Sequence, residues 1–180
     1  WLQPKLFTIL ILILIAQSCS FSVSPEKYFG KVALNTNLLG GFGEQDFENY
    51  MNAKSQKALY IKLENETYDM QDMLVPHLTT YVIPNMEKSI NEIKDLKVTA
   101  STEAMINASL KLHEFTLDKY KSEYIKIAKL IDNNAPKSEI HQEIILFKKS
   151  NLDDFWDLHS NLMDIAIPYA KANGIEVSRY

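Results

Sequence analysis

"INASLKLHEFTLDKYKSEYIKIAKLI", residues 106–131, decides the fold. Ile106, Leu110, His113, Leu117, Tyr120, Tyr124, Ile127 and Ile131 recur along it at spacings of 4-3-4-3-4-3-4. Apolar residues at that period line one face of a helix, and lysines and glutamates fill the other faces. The seam has room for three and a half heptads and predicts a helix that packs along its whole length. Leu117 is expected in the middle of the buried face and Glu114 on the solvated one. Thr102 marks a start, and "DNNAP" at 132–136 marks a stop.

Outward from this segment the same texture continues. A helix is expected from about Gln45 to Glu64, with Phe47, Met51, Ala58 and Ile61 as its ragged apolar stripe. A second is expected from Asp69 to about Lys97, kinked or broken by Pro76 and Pro84. The last segment starts at Ser138. Ile140, Ile144 and Phe147 form one stripe; Phe155, Leu158, Leu162, Ile165 and Tyr169 form another. Ser150 and Asp153 have the spacing of a capping box, so a reset is expected between the stripes. Asn173-Gly174 reads as a C-terminal stop. Four long amphipathic segments on short links imply an all-α fold, an antiparallel up-down four-helix bundle over residues 44–180. Each buried seam residue contributes about 1.5–3 kcal/mol.

The N-terminus carries a different signal. Leu6 to Ala16 is an apolar run of 11 residues preceded by Lys5. As a helix it would cover about 16 Å, half a bilayer core, so it does not span. A positive flank, a short apolar run and a small-residue exit are the parts of a secretory signal peptide. Residues 1–18 are therefore expected to be an address rather than part of the fold. Ala16-Gln17-Ser18 stands before Cys19, the single cysteine of the chain. A lone cysteine at the end of such a run has the position of a lipid-attachment cysteine, although Ala16 replaces the usual leucine and Gln17 is bulky. Two or three acyl chains, at about 0.8 kcal/mol per buried methylene, give a stable anchor. Ser20, rather than aspartate, follows the cysteine. Residues 19–43, polar and then glycine-punctuated in "LLGGFGEQ", are expected to form a tether.

"INASLKLHEFTLDKYKSEYIKIAKLI" followed by "DLHSNLMDIAIPYAKANGIEV" resembles the C-terminal half of a family of uncharacterised Gram-negative bacterial surface lipoproteins. The resemblance covers about the last 130 residues. It implies a signal peptide, a modified cysteine, an all-helical domain and a location at the outer membrane or cell surface. It supplies no catalytic residues.

Composition bounds the rest. The net charge is −4, and it becomes −5 when the one charge of residues 1–18, Lys5, is removed. Arg179 is the only arginine among 19 basic residues, which argues against nucleic acid as a partner. Sequons occur at Asn65 and Asn107, and in a chain rich in asparagine we read them as chance. No phosphate-binding glycine loop, nucleophile elbow or paired metal-binding histidines are present, so no enzyme and no cofactor are expected. The residues three before His77, His113, His141 and His159 are Leu74, Leu110, Ser138 and Trp156, which excludes the Glu-x-x-His pattern of helical metal oxidases.

Two roles follow. The first is a membrane-anchored, non-catalytic binding or structural protein, held by a lipid on Cys19 and facing an unidentified protein partner. The second is a soluble exported bundle that binds a metal or small ligand. Folding the last two segments into a hairpin offsets His113 and His159 by only about 4–5 Å along the axis, so they are the candidate metal or ligand residues. Two hydrogen-bonded boundary histidines would give the same pattern. Tyr120 and Tyr124 are expected in the core, each with its hydroxyl at the edge.

Overall fold

The computed structural model describes residues 23–33, 36 and 39–177. Residues 1–22, with the signal segment and Cys19, lie outside them. The fold is mostly helical, as expected. It comprises α1 (Pro25–Val32), α2 (Glu44–Ser55), a hairpin of β1 (Leu59–Lys62) and β2 (Tyr68–Gln71), then three long rods. The first rod is α3 (Leu74–His77), a π-helical turn (Leu78–Val82) and α4 (Ile83–Lys94). The second is α5 (Glu103–Lys119), a π-helical turn (Tyr120–Tyr124) and α6 (Ile125–Asp132). The third is α7 (Lys137–Ala172), 36 residues without interruption.

The expected tether is largely core. Ser24 accepts a hydrogen bond from the Lys27 amide at 3.4 Å and Pro25 stands at the first helical turn, the residue types that start helices. Tyr28, Phe29 and Val32 of α1 are buried. Tyr28 fixes the end of the first rod by donating its hydroxyl to the Lys97 carbonyl. Phe42, from the glycine-rich stretch, stacks on Phe155 of α7 at 4.5 Å and meets Phe147 edge-on at 5.2 Å. The packed part of the chain therefore extends back from residue 44 at least to α1.

The first expected helix is too long by nine residues. α2 ends at Ser55, and Lys57 adopts the left-handed conformation, φ 53°. "LYIK" and "YDMQ" are strands, paired Leu59↔Gln71 to Lys62↔Tyr68. β-Branched and aromatic residues favour this, and burial alternates, with Leu59 and Ile61 inside and Tyr60 out. Asn65 closes the loop by accepting from both the amide and hydroxyl of Thr67. The hairpin is pinned to the first rod: His77 Nδ1–H donates to the Tyr60 carbonyl at 2.6 Å, and the Lys62 amide donates to Thr80 Oγ1 at 3.0 Å.

Pro76 and Pro84 do not break the first rod. Pro76 lies in the first turn, where amides have no helical partner anyway. Pro84 follows the π turn, in which the Ile83 amide bonds the Leu78 carbonyl five residues back. The rod starts on Asp132, whose two carboxylate oxygens accept from the Leu74 and Val75 amides at 2.8 Å each. The same carboxylate pairs with Lys54 at 3.0 Å. One side chain thus caps α3, closes α6 and holds the end of α2. Nor does α7 reset near Ser150. Asn151 is buried there and donates to Phe147 O and Glu123 Oε2, both at 2.9 Å. The expected stop at Gly174 is present, at φ 69° with the Ile175 amide returning to the Ala170 carbonyl.

The central rod departs from a straight seam. Its buried residues are Met105, Ile106, Ala108, Ser109, Leu112, His113 and Thr116 before the π turn, and Tyr120, Tyr124, Ile127, Ala128 and Ile131 from it onward. Ile106 and His113 of the expected heptad are buried, but the centre of the first set, Met105, Ser109, Leu112 and Thr116, lies one residue ahead of it. Leu117 is consequently only half-buried, while Leu112 is fully enclosed. Glu114 faces solvent and pairs with Lys94.

Two stability tests follow. Leu112→Ala should cost about 2–5 kcal/mol, Leu117→Ala clearly less, and Glu114→Ala no more than about 0.5 kcal/mol, by chemical denaturation of the purified chain. Equal losses at 112 and 117 would restore the straight seam. Asp132→Ala should cost on the order of 1–3 kcal/mol by unmaking the cap. Its loss should exceed that of Lys54→Met, which keeps both amide bonds.

Candidate functional site

Both π turns contribute to one cleft: Tyr81 and Val82 come from the first and Tyr120 from the second, and α2 adds Asp46 and Tyr50. The cleft measures about 480 Å³, within the usual range for small-molecule sites. Tyr81, Val82, Met86 and Ser89 descend one face of the first rod into it, and His113 and Tyr120 enter from the second. Asp46 and Tyr50 enter from α2, one helical turn apart.

Asp46 is the chemical centre. It sits in the first turn of α2, where the helix dipole favours a negative charge. Tyr120 and Tyr124 both donate to its Oδ2, at 2.6 and 2.9 Å. Their rings stack at 3.9 Å, and Tyr50 joins them, its hydroxyl 3.3 Å from that of Tyr120. Tyr124 is locked further by accepting the Gly43 amide at 2.6 Å. Gly41 leaves the room the carboxylate needs, because a Cβ there would fall 2.2 Å from Asp46 Oδ1. Among the described residues no cation lies within ion-pair distance of Asp46, and Oδ1 accepts no protein hydrogen bond. Burial raises the pKa of Asp46, against the two tyrosine donors, which lower it. Burial likewise raises Tyr50, Tyr120 and Tyr124, with the charge of Asp46 adding to each.

The two histidines singled out by spacing have different surroundings. His113 is buried at the cleft; its Nδ1–H donates to the Ser109 carbonyl at 2.9 Å. Burial lowers its pKa, partly opposed by that bond, so the ring is held neutral. His159 is half-buried on α7, with its ring 5.5 Å from Trp156 and 6.3 Å from Phe155. It does not line the cleft. Among the described residues no group of three histidine, cysteine or carboxylate side chains is placed to hold a metal ion. Tyr120 and Tyr124 are core residues, as expected, but Tyr124 is fully enclosed, with its hydroxyl bonded to the Gly43 amide inside the core. Asp46, Tyr50 and Tyr81 were not singled out; the signal available was Asp46 and Tyr50 at i and i+4 on a helix.

Comparison with protein-family models, curated proteins and solved structures finds no match to the chain. No helix among the described residues is long and apolar enough to cross a membrane.

Asp46→Asn tests the electrostatics of the site. A carboxyl raised above its ordinary 3.8 in the folded state binds its proton more tightly there than in the unfolded chain. Its stabilising contribution is full below that ordinary value and is lost as pH rises through the folded one. Asparagine keeps an oxygen for both tyrosines and has no charge to bury. The variant should therefore gain stability relative to the wild type as pH rises from about 4, levelling off above the folded pKa. Denaturation midpoints of both proteins across that range measure it. A difference that does not move with pH would contradict the assignment.

Proposed function

We propose that the chain is an exported, lipid-anchored helical domain that acts by non-catalytic binding at the outer membrane or cell surface. The observation that carries this reading is how few residues of sequence separate Cys19 from the first described helix. An 11-residue apolar run precedes the cysteine, and Ser24, the cap of that helix, stands five residues after it. Five residues reach at most about 18 Å. A lipid on Cys19 would hold the domain against the membrane with α1 foremost, rather than on a long leash. The bundle itself is best described as three long antiparallel rods closed by α1 as a short fourth member, with α2 and the hairpin packed alongside.

The likeness of the C-terminal segments to bacterial surface lipoproteins supports the same reading. The cleft favours a second one, a soluble exported protein that binds a small ligand. The two differ at Cys19. Fractionation should find the mature wild-type chain in the membrane pellet and Cys19→Ala in the soluble export fraction. Intact mass should show a diacylglycerol adduct on the wild type alone. Equal partitioning of the two proteins would remove the anchor and leave the soluble reading.

A further inference from the structure

We infer that the cleft between the two π turns is a binding site for a small organic ammonium ion, its charged head on Asp46 and its apolar portion along Val82 and Met86. This deepens the reading of the chain as a binding protein and rests on it.

The argument begins with the imbalance at Asp46. The carboxylate is half-buried beside aromatic rings, yet every group donating to it is a neutral hydroxyl. A buried anion without an opposite charge is expensive, and a bound cation removes that cost. The tyrosine hydroxyls occupy Oδ2, and Oδ1, beside Gly41, accepts no hydrogen bond among the described residues. The walls suit a cation as well. Tyr50, Tyr81 and Tyr120 line the cleft from three elements, and aromatic faces attract ammonium groups. The other ionisable groups on the walls are Lys88, Glu92 and His113. Glu92 is paired with Lys31 at 3.3 Å, and Lys88 is exposed on the side facing solvent. His113 spends its Nδ1–H on the Ser109 carbonyl and presents no positive charge. Leu39, Val82 and Met86 supply apolar surface beside the carboxylate, which selects an alkyl- or aryl-amine over a hydrated metal ion.

A simple carboxylate–tyrosine knot, holding α2 to the second rod, would use the same hydrogen bonds. It would show no preference for a charged solute. The test is therefore a titration of the full chain in nonionic detergent with n-butylamine, n-butanol and butyrate, followed by amide chemical shifts. n-Butylamine should give saturable shifts at residues around the cleft, with n-butanol at least tenfold weaker and butyrate without effect. Asp46→Asn should weaken the amine at least tenfold and leave the alcohol unchanged. Tyr81→Leu, which touches none of the Asp46 hydrogen bonds, should weaken the amine several-fold and serves as the decisive variant if Asp46→Asn does not fold. Absence of saturation by the amine, equal binding of amine and alcohol, or undiminished amine binding in the variants would each overturn the inference. None of these results bears on the anchor, since the Cys19→Ala fractionation reads out independently. A failed titration with a membrane-bound wild type refutes the ligand and leaves the location standing.

Discussion

An α-helix presents one straight stripe at 3.6 residues per turn, and the central rod has two that are out of step. Met105, Ser109, Leu112 and Thr116 set the phase of the first half. Continued without change they would be followed by residues 119, 123, 126 and 130, whereas the buried set is Tyr120, Tyr124, Ile127 and Ile131. One residue has to be absorbed, a rotation of roughly 100°. The π turn at Tyr120–Tyr124 absorbs it. The neighbouring rod does the same: Leu74 and Leu78 are followed by Ile83, Ile90 and Ile93, again one residue late, across the π turn at Leu78–Val82. The wide turns bring Tyr81 and Tyr120 onto the walls of the space between them, and α2 closes it with Asp46 and Tyr50.

Two carboxylates at helix starts, Asp132 and Asp46, are handled in opposite ways. Asp132 is 5% exposed at its side chain and is fully compensated, by an ammonium and by two backbone amides. Removing any one partner would leave a definite deficit, and its role is accounted for by joining α2, α3 and α6. Asp46 receives only neutral hydroxyls, and the three tyrosines around it are themselves pushed away from ionisation. Structural economy favours the first arrangement. A folding role for Asp46 is real, since it ties α2 to the second rod, but an asparagine or a glutamine would tie it without a charge to bury.

The helical character was legible because amphipathic periodicity survives small errors of phase. The seam of residues 106–131 identified the right helix and the right ends, and it failed only where a strict heptad was imposed on a helix with an inserted residue. A π turn has no composition of its own, so Leu112 and Leu117 exchanged places. The hairpin was missed because "ALYIKLENETYDM" carries glutamates and lysines that also suit a helix; its alternation of Leu59 and Ile61 against Tyr60 and Lys62 is only four residues long. The α1 start was written in the sequence as Ser24-Pro25-Glu26, a cap followed by proline, and was obscured by the polar residues before it. Phe42 fell in the expected tether because glycines flank it, although Gly41 there serves to clear Asp46. The cleft was not legible at all: its walls come from three elements separated by the hairpin and both rods, and only Tyr120 and His113 among them lay on a periodic stripe.

The short reach between Cys19 and α1 bears on how the cleft would meet its surroundings under the proposed anchor. α1 packs against α4, α5 and α7. Its Lys31 pairs with Glu92, which lines the cleft, and its Val32 carbonyl accepts from Ser109, one helical turn from His113. The element nearest the lipid is thus in direct contact with the rods that form the cleft walls. A domain on a long flexible tether samples all orientations, and its site has no fixed relation to the bilayer. Under the proposed anchor, a linker of at most about 18 Å to an α-helix integrated into the core would keep the cleft within a domain's breadth of the membrane. The sequence segment that reads as a spacer is thus in part a packed element of the domain.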